Sequence, residues 1–301
     1  MKIQFENVNF QSRTGPNGFG LKLARELIHL GHEVVTSGHD VRLTFIQGSN
    51  TFRPNVLRLD GIYFNSEQDW ISMNEPIRSS YNFADAVIVQ SEFDRELTER
   101  YFGRRSNLHV IHNGTDLEAI SRIAPAQIGS MIPREKIWLS ASAWRPHKRL
   151  SDNIGLFLEI SDSDHVMLVA GKDAEAHAGI FQSHPRVKFL GDLNWEQLIS
   201  CMKASGHFVH LAWLDHCPNV VIDARACGCK IYCTSAGGTE EIAGLHAAIL
   251  EEPDWDYSPV ALYKPPAITR YDTLRKPKLP TDIDIRHVSK MYVDVLTGIK
   301  N

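Results

Sequence analysis

The chain has 301 residues, a net charge of −4, and 43% hydrophobic and 23% charged residues, as in ordinary globular proteins. Its length exceeds that of most single hydrophobic cores, so we expect two domains. The slight acidity gives no reason to expect nucleic acid or an anionic membrane as a partner. There is no apolar run of membrane-spanning length and no apolar leader core, so we expect a soluble, cytoplasmic protein.

The five cysteines predict neither disulfides nor a metal site. An odd number in a chain without a secretion signal argues against a disulfide framework. Two cysteine pairs at zinc-finger spacing are also missing from the sequence. We therefore interpret the cysteines as small core residues: Cys201, Cys217, Cys227, Cys229 and Cys233.

The first elements along the chain predict a βαβ unit. A strand (2–8) is followed by a glycine-rich turn (13–20), a helix (19–30) and a second strand (32–36). Glycines such as Gly15 and Gly18 let a backbone approach phosphate at the start of a helix. Their G-x-x-G-x-G spacing differs from the dinucleotide fingerprint and disfavours a nicotinamide site. Turns that use glycine for steric reasons alone remain the alternative.

Further short strands are predicted at 41–46, 56–59, 86–90 and 108–112, with a helix after the third that Ser91 caps. Asp60-Gly61 directly follows the second of these strands. Functional groups of parallel sheets gather at the carboxyl ends of strands, so Asp60 is a candidate site residue. The alternative is an ordinary Asp-Gly turn.

A mixed polar stretch (121–134) predicts the linker to a second domain, whose first strand is Ile137–Ala141. Arg145 and Lys148 lie in the loop after this strand. A planar guanidinium and a point-charge ammonium form a suitable pair for a diphosphate. A solvated pair of loop charges is the alternative.

The next predicted elements are two strands and an amphipathic helix (195–204). The strand Val166–Ala170 precedes Gly171 and Lys172, and the strand Val187–Leu190 precedes Gly191. Later in the chain, a proline-containing connector (265–280) leads to a last helix (285–296).

The window from His207 to Ile242 predicts a strand (208–214), a helix with Pro218 as its first residue and Gly228 as its left-handed cap, and a strand (230–234). At the start of this helix the amides of Asn219, Val220 and Val221 lack intrahelical partners, which suits phosphate. Asp215 and Asp223 flank that position and could accept sugar hydroxyls. Together these features suggest a nucleotide sugar. The alternative interpretation is that Asp215 caps the helix and that Asp223 is a solvated charge.

This window resembles the signature of family 4 glycosyltransferases of the GT-B fold. Two acidic residues eight positions apart are followed by Ala-x-Ala-x-Gly, a strand and Gly-Gly-x-x-Glu, and the corresponding residues here are Asp215, Asp223, Ala224, Ala226, Gly228, Gly237, Gly238 and Glu241. The resemblance implies an α/β fold with two Rossmann-like doubly wound domains facing a cleft. These would be an acceptor-side domain (1–120, with the helix 285–301 packing back on it) and a nucleotide-sugar domain (121–284).

The same resemblance implies a retaining hexosyltransferase that needs no metal and no cofactor. Its substrates would be a GDP- or UDP-sugar, carrying a hexose such as mannose or glucose, and a glycan or other hydroxyl acceptor. Arg145 and Lys148 would hold the pyrophosphate, Asp215 the sugar hydroxyls and Asp223 the ribose, with Asp60 at the cleft. The remaining expected donor-binding residues are Gly15, Gly18, Gly171, Lys172, Leu190, Asn219, Val220 and Val221.

One departure from the signature concerns the acidic pair, which is usually Glu and here is Asp at both places. Each side chain is one methylene shorter, so the backbone must approach the sugar more closely or lose the contact. Two alternatives remain open: a GT-B sugar epimerase, and a degenerate protein that binds a nucleotide sugar without consuming it. A nicotinamide oxidoreductase is a more distant third.

Overall fold

A computed structural model describes residues 1–12, 14–128, 132–271, 274–276 and 281–299. The chain forms two compact units: Met1–Asp116 with Asp256–Val260 and Asp282–Asn301, and Leu117–Trp255 with Ala261–Thr281. The residues outside the described part of the chain are Arg13 of the predicted glycine turn, 129–131 of the predicted linker, 272–273 and 277–280 of the predicted connector, and 300–301 of the predicted C-terminal helix. Within the described part of the chain, no helix has the length and apolarity to cross a membrane.

The strands, in chain order, are β1 Lys2–Glu6, β2 Glu33–Val34, β3 Val41–Phe45, β4 Asn55–Arg58, β5 Ala86–Val89, β6 Leu108–Val110, β7 Ile137–Ala141, β8 Val166–Ala170, β9 Val187–Gly191, β10 His207–His210, β11 Lys230–Thr234, β12 Ala248–Leu250 and β13 Leu274–Arg275. The helices are α1 Gly15–His29, α2 Trp70–Phe83, α3 Glu92–Phe102, α4 Leu117–Arg122, α5 Leu150–Ile160, α6 Ala174–His177, α7 Trp195–Ala204, α8 Asn219–Ala226, α9 Thr239–Ile242 and α10 Ile285–Gly298.

The first unit is built on a six-stranded parallel sheet in the order β2-β1-β3-β4-β5-β6. Its core includes Leu23 and Leu27 of α1 and Tyr292 and Leu296 of α10, all buried against strand residues such as Leu43. The C-terminal helix therefore belongs to the core of this unit. The short segment Asp256–Val260 also joins this unit, through backbone hydrogen bonds with Phe64 and Ser66, and the sequence had not indicated this.

The second unit has a seven-stranded sheet in the order β13-β12-β11-β10-β7-β8-β9, parallel except for β13. From β7 the chain builds outward to β8 and β9, then crosses back so that β10 pairs with the other side of β7. The carboxyl ends of β7 and β10 thus mark a topological switch point. Ligands of open α/β sheets bind at such points because the connecting loops diverge there.

Several predicted boundaries are confirmed. The strands β7, β8 and β11 and the helix α7 have the predicted ends. Ser91 caps α3 by accepting a hydrogen bond from the Asp94 amide. Gly31 and Gly228 have positive φ angles of 84° and 76° after their helices, where a side chain would be strained.

The predicted glycine-rich turn is wrong. Helix α1 begins at Gly15, so Gly15 and Gly18 lie in its first turns, and the Gly18 amide donates to the Thr14 carbonyl. Pro16 explains the early start, since proline suits the first positions of a helix. These two glycines therefore do not form a loop before the helix.

Two further expectations are corrected around β10 and α8. The strand ends at His210 rather than Leu214, because the next amide, of Leu211, donates to the Asn153 side chain instead of a neighbouring strand. Pro218 is the N-cap residue of α8 rather than its first residue.

In the first unit, α2 was not predicted, since Pro76 lies inside it and interrupts the helical pattern.

Candidate active site

The loop after β7 places two cations at the switch point of the second unit. A short 3-10 turn, Pro146–Lys148, follows Arg145 and leads into α5. Arg145 is exposed, whereas Lys148 is half-buried. The turn ends at Arg149, whose left-handed backbone (φ 51°) redirects the chain into the helix.

Asp215 lies opposite this loop, after β10. Its Oδ2 accepts hydrogen bonds from Lys148 Nζ at 2.5 Å and from His210 Nε2 at 2.8 Å. Its Oδ1 accepts one from the backbone amide of His216 at 3.0 Å. Lys148 and Asp215, two of the predicted residues, are thus brought together, whereas the contact with His210 was not predicted.

The electrostatics of this cluster keep Asp215 ionised. Burial alone would raise the pKa of Asp215, but Lys148 and His210 outweigh it and hold the pKa well below its usual range. Burial lowers the pKa of His210 although Asp215 opposes that shift. The neighbouring His147 has its pKa lowered to about 3, by burial first and by Lys148 second. The cluster therefore combines an anion and a cation with two neutral histidines at neutral pH.

The backbone around Asp215 is tightly constrained. Leu214, just before it, is a buried non-glycine residue with a φ of 54°, a conformation that costs free energy and is frequent at functional sites. Gly237 packs against it, and a Cβ there would lie 2.6 Å from the Asp215 carbonyl oxygen. That oxygen accepts a hydrogen bond from the Gly238 amide. The two glycines of the Gly-Gly-x-x-Glu motif thus hold the position of Asp215.

Helix α8 starts just beyond Asp215, and Asn219 and Val220 occupy its first two positions. The predicted role of the third amide is wrong, because the Val221 amide donates to the Pro218 carbonyl at 3.0 Å. The start of the helix therefore offers fewer donors to a ligand than the sequence suggested.

Asp223 is buried in the middle of α8, which excludes the alternative of a solvated charge. Its Oδ2 accepts a hydrogen bond from the indole nitrogen of Trp195, the first residue of α7, at 3.0 Å. The indole partner was not predicted. The two acidic residues thus have different partners: Asp215 is ion-paired, and Asp223 accepts from a neutral donor.

The predicted base-side residues lie at the ends of β8 and β9. Gly171 has a φ of 122°, and a Cβ on it would lie 2.0 Å from the Ser142 carbonyl oxygen, so only glycine fits. Its amide donates to the Gly191 carbonyl. Lys172 is exposed and Leu190 is half-buried.

A second polar cluster lies in the first unit around Asp60. Arg58 is fully buried, and its Nη1 lies 2.5 Å from Asp60 Oδ2. Its Nη2 donates to Asn113 Oδ1 at 2.7 Å, and its Nε donates to the hydroxyl of Tyr292 in α10 at 3.0 Å. Gln90 closes the ring by donating to Asp60 at 2.9 Å and accepting from Asn113 at 2.6 Å.

This ring gives the Asp60 side chain specific partners, Arg58 and Gln90, beyond what an Asp-Gly turn requires. Burial would lower the pKa of Arg58, but Asp60 and Tyr292 raise it, so the guanidinium stays charged. The only sequence signal for the ring was that arginine, aspartate, glutamine and asparagine all stand at the ends of adjacent strands.

Two Rossmann-like parallel sheets, with polar clusters after their strands, define the GT-B class of α/β proteins. Residues 128–258 match the family described as "Glycosyl transferases group 1". Residues 44–119 match "Glycosyltransferase Family 4". The chain therefore belongs to the family 4-like glycosyltransferases of the GT-B fold.

Solved structures agree with this fold. Sucrose-phosphate synthase from Thermosynechococcus elongatus has a TM-score of 0.66 and 15% identity over 100% of this chain and 95% of that chain. HepE from Anabaena, in complex with UDP and glucose, has a TM-score of 0.66 and 15% identity over 99% and 100%. AviGT4, a glycosyltransferase involved in avilamycin A biosynthesis, has a TM-score of 0.65 and 13% identity over 100% and 98%. A comparison with curated protein sequences found no match.

Proposed function

We propose that this glycosyltransferase moves a hexose from a nucleoside diphosphate sugar to a hydroxyl acceptor, with retention of configuration and without a metal ion. The observation that supports this most is the ion pair of Lys148 and Asp215 at the switch point of the second sheet. It combines a cation for a diphosphate with a carboxylate for sugar hydroxyls, beside the start of a helix.

In this reaction the bond between the anomeric carbon and the diphosphate oxygen breaks, and a bond from that carbon to the acceptor oxygen forms on the same face. The acceptor hydroxyl releases its proton to solvent, and the nucleoside diphosphate leaves with the added negative charge. Lys148 and Arg145 would neutralise that charge, together with the amides of Asn219 and Val220. Preorganised cations and donors of this kind are usually the largest contribution to such catalysis.

Before the donor binds, the positive charge of Lys148 is balanced by the Asp215 carboxylate, whose Oδ2 lies 2.5 Å from Nζ. Its ammonium has three donor hydrogens, so it can bind a phosphate oxygen while it keeps the contact with Asp215. Asp215 would then accept hydroxyls of the donor sugar through Oδ1, which also accepts from the His216 backbone amide.

The nucleoside would lie towards α7 and α8. Asp223 would accept ribose hydroxyls in a position that Trp195 stabilises. Gly171, Lys172 and Leu190 would lie on the side of the base. A UDP-hexose is our first choice of donor because the similar protein HepE was solved with UDP and with UDP-glucose, and GDP-sugars are the second.

In the first unit, Asp60 would face the acceptor, held in place by Arg58 and Gln90. Gly15 and Gly18 remain proposed contacts for the donor, now as part of the first turns of α1.

A panel of UDP- and GDP-hexoses, scored by thermal shift and by slow donor hydrolysis, tests the proposal. A true donor raises the melting temperature because it binds only the folded state, and it is hydrolysed to the sugar with retained configuration. Interconversion of donor sugars without hydrolysis would indicate an epimerase. Binding without any turnover, with or without hydroxyl acceptors, would indicate a non-catalytic binding protein.

The metal requirement is tested on the same reaction. Because Lys148 and Arg145 would neutralise the leaving diphosphate, turnover should be unchanged after EDTA treatment. Loss of turnover in EDTA that manganese or magnesium restores would contradict the metal-independent mechanism.

A further inference from the structure

His210 is a buried histidine that the sequence did not mark as functional. It is the last residue of β10, its exposed fraction is 1%, and its Nε2 lies 2.8 Å from Asp215 Oδ2. A histidine enclosed in a core needs a specific partner, because an unpaired buried polar group costs free energy. Here that partner is the carboxylate at the centre of the candidate site.

The hydrogen bond defines the tautomer of the ring. An ionised carboxylate only accepts hydrogen bonds, so Nε2 must carry the hydrogen. Burial lowers the pKa of His210, which leaves Nδ1 without a proton in the neutral ring. Nδ1 is buried and has no hydrogen-bond partner among the described residues. The ring thus has one polar contact, with Asp215, and leaves its second nitrogen unpaired.

The two donors to Asp215 Oδ2 differ in mobility. Lys148 is a flexible side chain with 16% of its surface exposed, whereas His210 is enclosed with 1% exposed. A phosphate oxygen that binds the Lys148 ammonium can shift this flexible side chain, whereas the hydrogen bond from the enclosed His210 stays in place. Without His210, the carboxylate would follow the lysine.

We propose that His210 is a positioning residue that holds Oδ2 of Asp215 so that Oδ1 stays directed to the donor sugar while Lys148 binds the diphosphate. Because the imidazole lies 2.8 Å from Oδ2, it leaves no room in that direction for an acidic side chain that is one methylene longer. This inference rests on the proposed function for its consequences, but its geometry can be tested in the unliganded protein.

The first test is the tautomer, measured by NMR on protein with ¹⁵N-labelled histidine and without donor. We expect His210 as the Nε2–H tautomer, neutral at pH 7, with the pKa of the ring below its ordinary value. The titratable groups that act on this ring are Asp215, Lys148 and His147. An Nδ1–H tautomer, or titration of the ring near its ordinary pKa, would overturn the proposal.

The second test compares His210→Phe with His210→Gln. Phenylalanine keeps the volume and removes the donor, so kcat should fall roughly ten- to a hundredfold, the value of one hydrogen bond to a charged group. The affinity for free nucleoside diphosphate should change less than about twofold. Glutamine can still donate to Asp215 and should recover most of kcat. Equal kcat in the phenylalanine variant and the parent protein would refute a positioning role.

His207→Phe is the matched control. His207 begins the same strand, at the opposite end from Asp215, and stacks on Trp138 with ring centroids 4.2 Å apart. A phenylalanine there can keep the stacking, so kcat should stay at the parent value. A loss equal to that of His210→Phe would mean that the strand, and not the hydrogen bond, is responsible.

The third test lengthens the acidic side chain at position 215 and shortens the side chain at position 210. Asp215→Glu alone should lower kcat because the longer side chain meets the imidazole. The double variant that combines Asp215→Glu with His210→Ala should be at least about tenfold more active than Asp215→Glu alone. A double variant no better than the single one would overturn the idea that His210 fills this space. If the parent turns over no donor, the proposed function fails, and the tautomer measurement still decides the geometry.

Discussion

Asp60 in the first unit and Asp215 in the second are aspartates that follow the end of a parallel strand, each 2.5 Å from a cation. The cations differ. Arg58 is fully enclosed, and its other nitrogens bind Tyr292 and Asn113. Lys148 is partly exposed, and its ammonium donates to the Asp215 carboxylate.

This difference indicates how the same ion pair can serve stability or ligand binding. A buried guanidinium whose three nitrogens each have a partner stabilises the surrounding structure and cannot turn to a substrate. A lysine on a flexible stem keeps donors available and can share a new anion. We therefore expect that breaking the Arg58 cluster mainly lowers stability, and that breaking the Lys148 cluster mainly lowers binding and turnover.

Replacing Arg58 by methionine should have the largest effect on stability. It leaves Asp60, Asn113 and Tyr292 without their shared partner, and breaking a buried ion pair from one side costs about 3–5 kcal/mol. Hydrogen exchange of the β4 and β5 amides measures this loss within the first unit alone. Arg53→Met is the control, because its ion pair with Asp85 is 56% exposed on the arginine side and should contribute at most about 1 kcal/mol. Equal losses of stability in Arg58→Met and Arg53→Met would contradict a special stabilising role of the buried Arg58 cluster.

Lys148→Ala and Arg145→Ala test the other side of the comparison. Each should weaken nucleoside diphosphate binding and lower turnover, by about 3 kcal/mol in the transition state for one such group. Lys136 is a suitable control because it directly precedes β7, at the opposite end of the strand from Lys148, and pairs with Asp164. If Lys136→Ala and Lys148→Ala give the same kinetics, the loop after β7 does not bind the diphosphate.

Asp215→Asn and Asp223→Asn should separate sugar from nucleoside. A hydrogen bond to a charged group contributes about 1.5–3 kcal/mol, so each variant should bind intact donor about ten- to a hundredfold more weakly. Asp223→Asn should weaken free nucleotide as much as nucleotide sugar, since both contain ribose. Asp215→Asn should weaken only the nucleotide sugar.

Isothermal titration with both ligands measures these four affinities. Unchanged affinities, with only a lower melting temperature for Asp215→Asn, would show that the contacts of Asp215 with Lys148 and His210 stabilise the fold and that Asp215 does not bind the sugar.

Acid should weaken the second unit through His147. In the unfolded chain, His147 takes up a proton with a pKa of about 6.5. In the folded protein its pKa is lowered to about 3, so it stays neutral. The contribution of His147 to the free energy of unfolding is therefore fully present above its pKa in the unfolded chain. It falls as the pH drops, by about 2 kcal/mol between pH 7 and pH 5. His147→Gln should reduce that pH dependence in urea unfolding. The same pH slope in the variant and the parent would show that His147 does not stay neutral.

Much of the fold could be predicted because its signals are local. The apolar runs of β7, β8 and β11 and the helical period of α7 predict their ends. Where a local signal was ambiguous, the prediction failed. The glycines near residue 15 suit a turn as well as a helix start, and Pro76 hides a helix that tertiary packing stabilises.

By itself, the sequence determined the two-domain α/β architecture, the family signature and the charged residues after each strand. Only the tertiary structure decided which of these residues meet. Lys148 and Asp215 are 67 residues apart and come together because β10 pairs with β7, and Arg58 reaches Tyr292 because α10 packs in the first core. Caps and periodic patterns act over a few residues, whereas strand order and helix packing depend on burial of the whole chain. The enclosure of His210 behind Asp215 is a property of that packing.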